Sequence, residues 1–341
     1  MNKILITGIN GMDGSTLADK YLEKGEYQVI GIDRWNPTGP SPNLKEALKN
    51  KNFKLITGDI NEYIFIEGLI KKYQPAIMYN MAAISMVSES FKLPLTVMKT
   101  NTLAVINMLE CIKHYSPKTR YYQASSSEQI WKNTSENQNT ESRMIPNSPY
   151  GISKLASYHF VRFYRETYGL FAVNGMLFNH EGPRRGPDFV TRKITIAVAR
   201  IEMNQQEDIE LGNINTFRDW GNSSDYCDAM ILMMHTDKPD DYTVATGETH
   251  SIREFVRRAF EVVDILITWE GEGLNEVGKD QEGIIRVKIN KEFYRPAEVE
   301  RLHGDPSKIK KILGWEPKTK FHELVRLMVE NDFKEAQNGN L

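Results

Sequence analysis

The sequence predicts an α/β fold in which a parallel sheet has helices on both faces. Short apolar runs alternate with amphipathic helical patterns through the first half of the chain, as in consecutive units of strand, helix and strand. A glycine-rich turn lies between the first of these runs and the first helical pattern. Polar residues directly follow several of the runs, and ligands of such sheets bind at that edge.

The composition is that of a globular protein with one large domain or two modest ones. Of the 341 residues, 40% are hydrophobic and 26% are charged, and the net charge is −2. This balance argues against general attraction to nucleic acid or to an anionic membrane. No apolar run approaches the ~20 residues of a membrane span and no cleavable signal is evident, so we expect a cytoplasmic protein. Cys111 and Cys227 lie in apolar segments and are predicted to be buried free thiols, and no metal site is expected.

The first strand and helix enclose a candidate dinucleotide site. Residues Lys3 to Thr7 form the predicted strand, and a helical pattern runs from Ser15 to Glu23. Glycines between them permit a tight turn and let phosphates approach the helix N-terminus, although an ordinary turn could use the same residues. The predicted cofactor contacts in this turn are Gly8, Asn10, Gly11, Met12, Asp13 and Gly14.

The second strand ends in two residues that point to different cofactors. The strand runs from Gln28 to Ile32, and Asp33 and Arg34 follow it. An acidic residue at this place accepts hydrogen bonds from the ribose hydroxyls of NAD, whereas an arginine can hold the extra phosphate of NADP. The residues alone therefore leave both cofactors open. The stretch from Trp35 to Leu44 is rich in Pro, Gly and Asn and is predicted to be a loop.

Further strands and helices alternate as far as residue 178. Asp59 and Ile60 follow one of these strands, at the edge where an adenine would lie. The alternation predicts that helices cover both faces of the sheet. The predicted strands are 53–57, 76–83, 120–124 and 172–178, and the predicted helices are 63–72, 96–113 and 150–167.

The second half of the chain predicts a smaller lobe assembled from separate segments, because no linker divides the sequence cleanly. We expect the cofactor domain to comprise 1–178 with a contribution from 215–247, and the lobe to comprise 179–214 and 248–341. The predicted features of these segments are a basic loop at 179–186, a helix from Thr191, an apolar stretch at 209–212, a helix at 251–263, an exposed acidic loop at 271–283, a short helix between 305 and 315, and a last helix at 321–333.

Tyr150 and Lys154 are one helical turn apart, which places both side chains on one face. For a tyrosine to act as a base near neutral pH, its pKa must fall by roughly three units, or about 4 kcal/mol. An ammonium about 4 Å away at an effective dielectric constant near 20 supplies a stabilisation of that order. A tyrosine and a lysine at this spacing can equally be an ordinary helix surface, but Ser125 to Glu128 end a predicted strand close to where such a base would act.

Three basic residues, Lys193, Arg218 and Arg295, lie in separate parts of the sequence. A folded diphosphate pocket would bring such residues together, and arginines suit phosphate oxygens. Each of them alone could instead form a surface ion pair.

Several motifs together resemble those of the extended short-chain dehydrogenases/reductases, and within that group the chain resembles the GDP-mannose 4,6-dehydratases from end to end. The glycine turn and the Tyr/Lys pair mark only the larger group, whereas the loops around Asn179 and Arg295 are narrower signals. The matching segments are 7–15, 122–128, 148–155, 178–186, 189–195, 218–221 and 295–300.

The resemblance implies a fold and a mechanism. The fold would be a Rossmann-like, doubly wound parallel sheet with a smaller, discontinuous α/β substrate-binding lobe. Tyr150, acidified by Lys154, would take the proton of the sugar 4-hydroxyl while C4 gives up a hydride. Glu128 would then remove the C5 proton and help water leave from C6, with Ser126 hydrogen-bonded to the C4 oxygen. Return of the hydride to C6 would complete a dehydration without net redox change.

The resemblance also implies the ligand contacts and partners. The expected cofactor is NADP, with NAD as the alternative because of Asp33, and the expected assembly is a homodimer or homotetramer. Beyond the glycine turn, the expected cofactor contacts are Asp33, Arg34, Asp59, Ile60, Ala82, Ser85, Tyr150, Lys154 and Arg185. The expected GDP-sugar contacts are Ser85, Ser126, Glu128, Asn179, Lys193, Arg218, Arg295 and Glu298.

The chain departs from the family pattern at a few positions near the expected sugar. Ser126 replaces a threonine and keeps the hydroxyl group, whereas Ile84 and Met86 replace polar residues and make the wall more apolar. Met12 and Gly182 replace a glutamine and a serine. These changes leave a GDP-manno-heptose open as the substrate. A 4-epimerase would not need Glu128, and a non-catalytic dinucleotide sensor would not need Tyr150, Lys154 and Glu128 together.

Overall fold

A computed structural model describes residues 1–130, 137–294, 299–339 and 341. Its largest sheet has seven strands in the order β11-β6-β5-β4-β1-β2-β3, and every neighbouring pair is parallel. The strands are β1 Asn2–Thr7, β2 Tyr27–Asp33, β3 Phe53–Thr57, β4 Ile77–Asn80, β5 Arg120–Ser126, β6 Ala172–Leu177, β7 Asn179–Glu181, β8 Ile209–Leu211, β9 Phe217–Arg218, β10 Trp220–Asn222, β11 Asp241–Val244, β12 His250–Ser251, β13 Thr268–Glu270, β14 Val277–Lys279 and β15 Ile285–Ile289.

Helices cover both faces of this sheet, which confirms the doubly wound α/β prediction. The α-helices are α1 Met12–Glu23, α2 Tyr63–Tyr73, α3 Val87–Lys92, α4 Pro94–Met98, α5 Ala104–Tyr115, α6 Pro149–Tyr168, α7 Val190–Glu202, α8 Ser223–Met233, α9 Ile252–Glu261, α10 Ser307–Leu313 and α11 Phe321–Gln337. One apolar cluster joins α1, α8 and α10 to the sheet, and another joins α2, α5 and α6 to its opposite face. Central strands such as β1 are continuous apolar runs because both faces are buried.

The second lobe has its own apolar core. Helices α7, α9 and α11 pack against a four-stranded sheet in the order β13-β14-β15-β8. Two small sheets lie beside it, β7 with β10 and β9 with β12. The carboxyl ends of the central strands face this lobe across a cleft, so the polar residues that follow those strands share one space with residues of the lobe.

One local prediction was wrong and two were incomplete. The segment Gly271 to Gly283 is not simply an exposed loop, because β14 pairs on both sides and Gly278 is buried between Ile267 and Val287. The acidic composition indicated a loop, but the missing side chain of Gly278 allows close packing, since a Cβ there would lie 2.9 Å from Cγ2 of Ile267. The basic loop begins with a short strand, β7. The helix predicted at 96–113 contains a π-helical turn at Lys99–Leu103 between α4 and α5.

Both cysteines are buried and free. Among the described residues, no helix is long and apolar enough to cross a membrane.

Candidate functional site

The cleft between the sheet edge and the second lobe has a volume of about 1840 Å³. This exceeds the roughly 300–1,000 Å³ that is typical of a site for one small ligand. Every predicted site residue that the structure describes lines the cleft. Arg295 and Glu298 lie outside the described residues.

The glycine turn brings backbone close to backbone, as a pyrophosphate cradle requires. Gly8 has a φ of +67°, and a Cβ there would lie 2.6 Å from the Ala82 nitrogen. A Cβ on Gly14 would lie 2.4 Å from the Gly8 oxygen. Helix α1 starts at Met12, so its first N–H groups lie at the cleft without intrahelical acceptors. These residues fit a dinucleotide whose pyrophosphate lies at the helix N-terminus.

Asp13 lies in this turn, but its carboxylate contacts protein side chains. Oδ2 is 2.8 Å from Nε2 of His180, and Oδ1 accepts a hydrogen bond of 2.7 Å from Ser223. The His180 ring stacks on Tyr226, and its Nδ1 donates to the Phe178 oxygen at 2.8 Å. Although burial opposes both charges, the ion pair and its hydrogen bonds hold the pKa of His180 above and that of Asp13 below their usual values. No sequence pattern indicated this bridge, because its partners are far apart along the chain.

The ends of β2 and β3 form the next part of the cleft. The Asp33 oxygen accepts a hydrogen bond of 2.8 Å from the Gly58 nitrogen, which fixes the two strand ends beside each other. The side chains of Asp33 and Arg34 form no hydrogen bond or ion pair with the part of the chain that the structure describes. Asp59 is different, since its Oδ1 accepts hydrogen bonds of 2.9 Å and 2.8 Å from Asn61.

The four residues with predicted catalytic roles meet where β5 ends beside α6. Tyr150 and Lys154 are buried in α6, and Ser126 is the last residue of β5. Glu128 lies in the short 3-10 turn that follows, and its backbone N–H donates to the Ser126 hydroxyl at 3.2 Å. The Ser126 hydroxyl is near enough to lower the pKa of the Tyr150 phenol, and the charge of Glu128 is near enough to raise it. The site therefore combines a phenol, a hydroxyl group and a carboxylate.

Among the described residues, the Lys154 ammonium forms no hydrogen bond with the Tyr150 hydroxyl. It donates a hydrogen bond of 2.8 Å to the Ala124 oxygen and lies 5.8 Å from the centroid of the Tyr150 ring. Burial raises the pKa of Tyr150 to about 12, against the smaller lowering effects of Ser126 and Arg185. Burial also lowers the pKa of Lys154 to about 8. Desolvation disfavours both charged forms, and the spacing of residues in a sequence does not reveal it.

A glycine lets α6 approach the Glu128 turn. A Cβ on Gly151 would lie only 2.5 Å from the Glu128 oxygen. Gln129 completes a capping box with Ser126, and the Ser125 hydroxyl donates to its Oε1 at 2.6 Å. Sequence reasoning did not single out Gln129, although a serine followed three residues later by a glutamine is the signature of such a cap.

Asn101 is a second polar residue that sequence reasoning missed. It lies in the π-helical turn, is buried, and donates a hydrogen bond of 3.1 Å to Ser153 of α6. It also accepts from the Ile84 nitrogen at 2.9 Å and donates to the Ile84 oxygen at 3.2 Å. Asn101 therefore ties the cleft wall at Ile84 to the helix of Tyr150. The helical periodicity gave no sign of the local change that allows these contacts.

The second lobe contributes the basic side of the cleft. Lys193 donates to the Glu210 oxygen at 2.7 Å and lies 3.6 Å from the centroid of the Phe293 ring, and burial lowers its pKa. Arg218 is buried. The Oδ1 atom of Asn179 is buried without a hydrogen-bond partner among the described residues. Together with Arg185, these residues give the cleft a cationic wall.

Buried carboxylates hold this basic wall in place. Asp219, next to Arg218, accepts hydrogen bonds from Thr246, Gly247 and Gly304, which joins three segments of the chain. Burial raises the pKa of Asp219 to about 6, even though these hydrogen bonds favour the charged form.

A second buried carboxylate stabilises the basic loop through Arg192. Asp332 of α11 pairs with Arg192 at 2.7 Å, and Arg192 donates to the backbone oxygens of Pro183 and Arg185. The loop from 183 to 186 therefore rests on a buried ion pair, which limits the positions that Arg185 can take.

The fold recurs in solved structures of other proteins. The dTDP-glucose 4,6-dehydratase of Bacillus anthracis in complex with NAD has a TM-score of 0.83 at 22% identity, covering 99% of this chain and 98% of that one. The UDP-glucose 4-epimerase of Thermus thermophilus in complex with NAD has a TM-score of 0.79 at 25% identity, with coverage of 97% and 98%. RMD of Pseudomonas aeruginosa complexed with NADPH has a TM-score of 0.75 at 19% identity, with coverage of 98% and 100%.

Sequence comparison is more specific. The family model GDP-mannose 4,6 dehydratase matches residues 5–328. GDP-mannose 4,6 dehydratase 2 of Caenorhabditis elegans is 44% identical over 337 residues, which cover 96% of this chain and 88% of the relative. The Homo sapiens GDP-mannose 4,6 dehydratase is 43% identical over 340 residues, with coverage of 97% and 91%. Because the family model spans nearly the whole chain and these relatives align over almost their full length, this chain belongs to the GDP-mannose 4,6-dehydratase family.

Proposed function

We propose that this chain dehydrates GDP-mannose to GDP-4-keto-6-deoxymannose, as its family membership indicates. The observation that best supports this reaction is the carboxylate of Glu128 beside the phenol of Tyr150 in one cleft. Oxidation at C4 needs only a base for the hydroxyl proton, whereas loss of water across C5 and C6 needs a second group that moves a proton. The cleft offers both groups.

A nicotinamide dinucleotide is the proposed cofactor, and the glycine turn with the N-terminus of α1 is its proposed binding place. The Thermus thermophilus epimerase is in complex with NAD and the Pseudomonas aeruginosa protein with NADPH, which supports this class of cofactor. When bound, it supplies a reversible hydride acceptor. NADP is the form expected from the family resemblance, and NAD is the alternative because of Asp33.

The proposed proton transfers use the residues at the end of β5 and in α6. Tyr150 takes the proton of the 4-hydroxyl as C4 becomes a ketone, and Ser126 hydrogen-bonds the C4 oxygen. The ketone acidifies the hydrogen at C5, so Glu128 can remove it and pass a proton to the departing 6-hydroxyl. A hydride and a proton then add across the C5–C6 double bond, and the sugar has lost one water without net oxidation.

The proposed position of the GDP group is the cationic wall of the second lobe. Lys193 and Arg218 would bind the diphosphate, and Asn179 would hydrogen-bond the substrate. Ser85 is proposed to contact both ligands, while Arg295 and Glu298 remain predictions from the sequence. This placement supports the division into a cofactor domain, 1–178 with 215–247, and a substrate lobe, 179–214 with 248–341.

The decisive experiment combines product mass with a Glu128→Gln variant. The wild type incubated with GDP-mannose should give a product lighter by one water, without accumulation of reduced nicotinamide. The variant should still oxidise C4 and show reduced cofactor by absorbance, but should form product about 10²- to 10⁴-fold more slowly. Glu166→Gln, an exposed carboxylate of the same helix α6, is the matched control and should keep the wild-type rate.

Two results of that experiment would contradict the proposal. Wild-type turnover by Glu128→Gln would remove Glu128 from the mechanism. Failure of the wild type to dehydrate any GDP-sugar, with the cofactor still bound, would favour a dinucleotide sensor.

A second candidate substrate is a GDP-manno-heptose. Ile84 and Met86 line the cleft and make the wall near the proposed sugar site more apolar than in the family pattern. An apolar wall offers fewer hydrogen bonds to a hexose, and it leaves open how large a sugar the site accepts. Side-by-side measurement of kcat/KM for the two GDP-sugars decides between them.

Self-association and location are also proposals. The outer face of α6 and the π-helical turn before α5 expose apolar side chains, which supports a homodimer or homotetramer. Light scattering that gave a monomer would contradict it. The two buried free thiols are consistent with a cytoplasmic location, which cell fractionation tests. The exposed apolar residues are Leu103, Ile152, Phe160, Phe163 and Tyr168.

A further inference from the structure

Packing on both sides fixes the position of Asp33. It ends β2 in register with Thr57 of β3, and its backbone oxygen accepts the hydrogen bond from Gly58. Ile9 of the glycine turn lies against β2, because its nitrogen donates to the Ile32 oxygen at 3.4 Å and a Cβ on Gly31 would lie 2.5 Å from its side chain. The distance between the turn and the backbone of Asp33 is therefore set by the fold.

Three aspartates line this edge of the cleft, and they differ in how their carboxylates are occupied. Asp13 is held by His180 and Ser223. Asp59 is held by Asn61. Asp33 is half-buried, yet among the described residues its two side-chain oxygens have no hydrogen-bond donor and no cation. A partly buried carboxylate left without donors is suited to accept hydrogen bonds from a ligand.

The hydroxyl groups of an adenosine ribose are donors of the kind that Asp33 lacks. In doubly wound sheets, an acidic residue at the end of the second strand accepts both hydroxyls of NAD. NADP has a phosphate at one of them, which carries roughly −1.5 to −2 charges at pH 7. This charge would lie against a carboxylate that is shielded from water on one side, where repulsion is weakly screened.

The nearby cations do not reverse this balance. Arg34 and Lys45 line the same edge, but both side chains are exposed, so water and salt screen their charges more than they screen Asp33. An exposed guanidinium can also stack on a planar adenine, which serves either cofactor.

We infer that this chain binds NAD in preference to NADP, and that Asp33 is the residue that determines the choice. The inference rests on the proposed function only in requiring a nicotinamide dinucleotide at this edge. It replaces the NADP that the family resemblance implies with the cofactor that the free carboxylate fits.

The test is calorimetric titration of nucleotide-free protein with NAD and with NADP at one ionic strength. The wild type should bind NAD at least about tenfold more tightly. Asp33→Ser should weaken NAD binding and strengthen NADP binding, because the repulsion is lost while Arg34 remains, and the ratio should shift by at least about tenfold. Glu62→Gln removes one negative charge from an exposed side chain that does not line the cleft and is the control, so its ratio should match that of the wild type.

Equal or tighter binding of NADP by the wild type overturns the inference, as does an equal shift of the ratio in Glu62→Gln. If Asp33→Ser does not fold, as judged by circular dichroism, the wild-type ratio and the mass of the nucleotide released from freshly purified protein decide. GDP-mannose turnover separates this inference from the proposed function. If the protein turns over GDP-mannose but binds NADP more tightly, only the inferred NAD preference is contradicted. If it binds neither nucleotide, the proposed cofactor site itself is contradicted.

Discussion

The ammonium of Lys154 is buried, and its hydrogen-bond acceptor among the described residues is the Ala124 oxygen at 2.8 Å. Its pKa of about 8 means that the side chain loses its charge at a much lower pH than an exposed lysine. Within the proposed mechanism this charge stabilises the phenolate of Tyr150, which burial strongly disfavours. Burial therefore favours the neutral forms of Tyr150 and Lys154, whereas the proposed mechanism uses the charged forms of both side chains.

This gives a prediction for the pH dependence of activity. Because the pKa of Lys154 is lowered, its positive charge is present below about pH 8 and is lost as the pH rises through that value. The kcat/KM for GDP-mannose should therefore fall above about pH 8. Measurement of kcat/KM across this range for the wild type and for Lys154→Arg checks it. The arginine stays charged, so the alkaline fall should be absent in the variant even if its maximal rate is lower. A wild-type profile without the fall would contradict a charged Lys154.

Residue identity was easier to predict than residue environment. Tyr150, Lys154, Ser126 and Glu128 were found from motif and position, and the fold brings them to one cleft. The partners of Asp13 could not be found in the same way, because His180 and Ser223 are 167 and 210 positions away in sequence. Desolvation shifts also depend on atoms contributed by many segments, so they appear only once the chain is folded.

At the scale of elements, the contact between α6 and the Glu128 turn depends on one missing side chain. Gly151→Ala should push the turn away from the helix, because the new Cβ would meet a backbone oxygen at 2.5 Å. We expect kcat to fall by at least about tenfold, since small displacements of reacting groups are costly, while KM changes little. Steady-state kinetics with GDP-mannose measures both.

The matched control for that substitution is Gly68→Ala in α2. A Cβ on Gly68 meets nothing within 4 Å, so this change should leave kcat unaltered and can stabilise the helix by up to about 1 kcal/mol. Equal effects of the two substitutions would show that the Gly151 contact does not position Glu128.

The elements themselves were predicted well where their apolar period is strong. Six of the seven parallel strands were predicted from continuous apolar runs or turn signals, whereas β11 was not predicted. Strand β14 was missed because it is three residues long and contains a glycine that packs rather than turns. Strand β7 was missed because Asn179 and His180 are polar residues, and its pairing with β10 is set by the tertiary fold.

On the scale of the whole molecule, the bridge of Asp13 with His180 joins the cofactor turn to the basic loop. His180 and Asp13 are only 11% and 17% exposed, so the pair is poorly screened. Removing one member of such a pair costs about 3–5 kcal/mol because the other charge stays buried. His180→Asn should lower the free energy of unfolding by this order, measured by urea denaturation of nucleotide-free protein near pH 6. His322→Asn, at an exposed histidine of α11, is the control.

The same bridge predicts how stability depends on pH. The pKa of His180 is raised in the folded protein, so its contribution is full below the unfolded value near 6.5 and is lost as the pH rises through the folded value. The pKa of Asp13 is lowered, so its contribution is lost as the pH falls through a value below 3.8. The difference in unfolding free energy between wild type and His180→Asn should therefore shrink as the pH rises above about 6.5. A constant difference would show that His180 is not charged.

Because Lys99–Leu103 form a π-helical turn, the geometry of the site depends on the number of residues in this helix. A π-helical turn contains one more residue than an α-helical turn, and a single-residue change rotates the preceding helix by about 100°. Deleting one residue here would restore a regular helix and turn Asn101 away from Ser153 and Ile84. Single substitutions in this stretch and deletions that change its length should therefore have very different effects on dehydratase activity. A library of single deletions and single alanine substitutions across 99–103, selected for dehydratase activity, would show whether the extra residue is as constrained as the side chains around it.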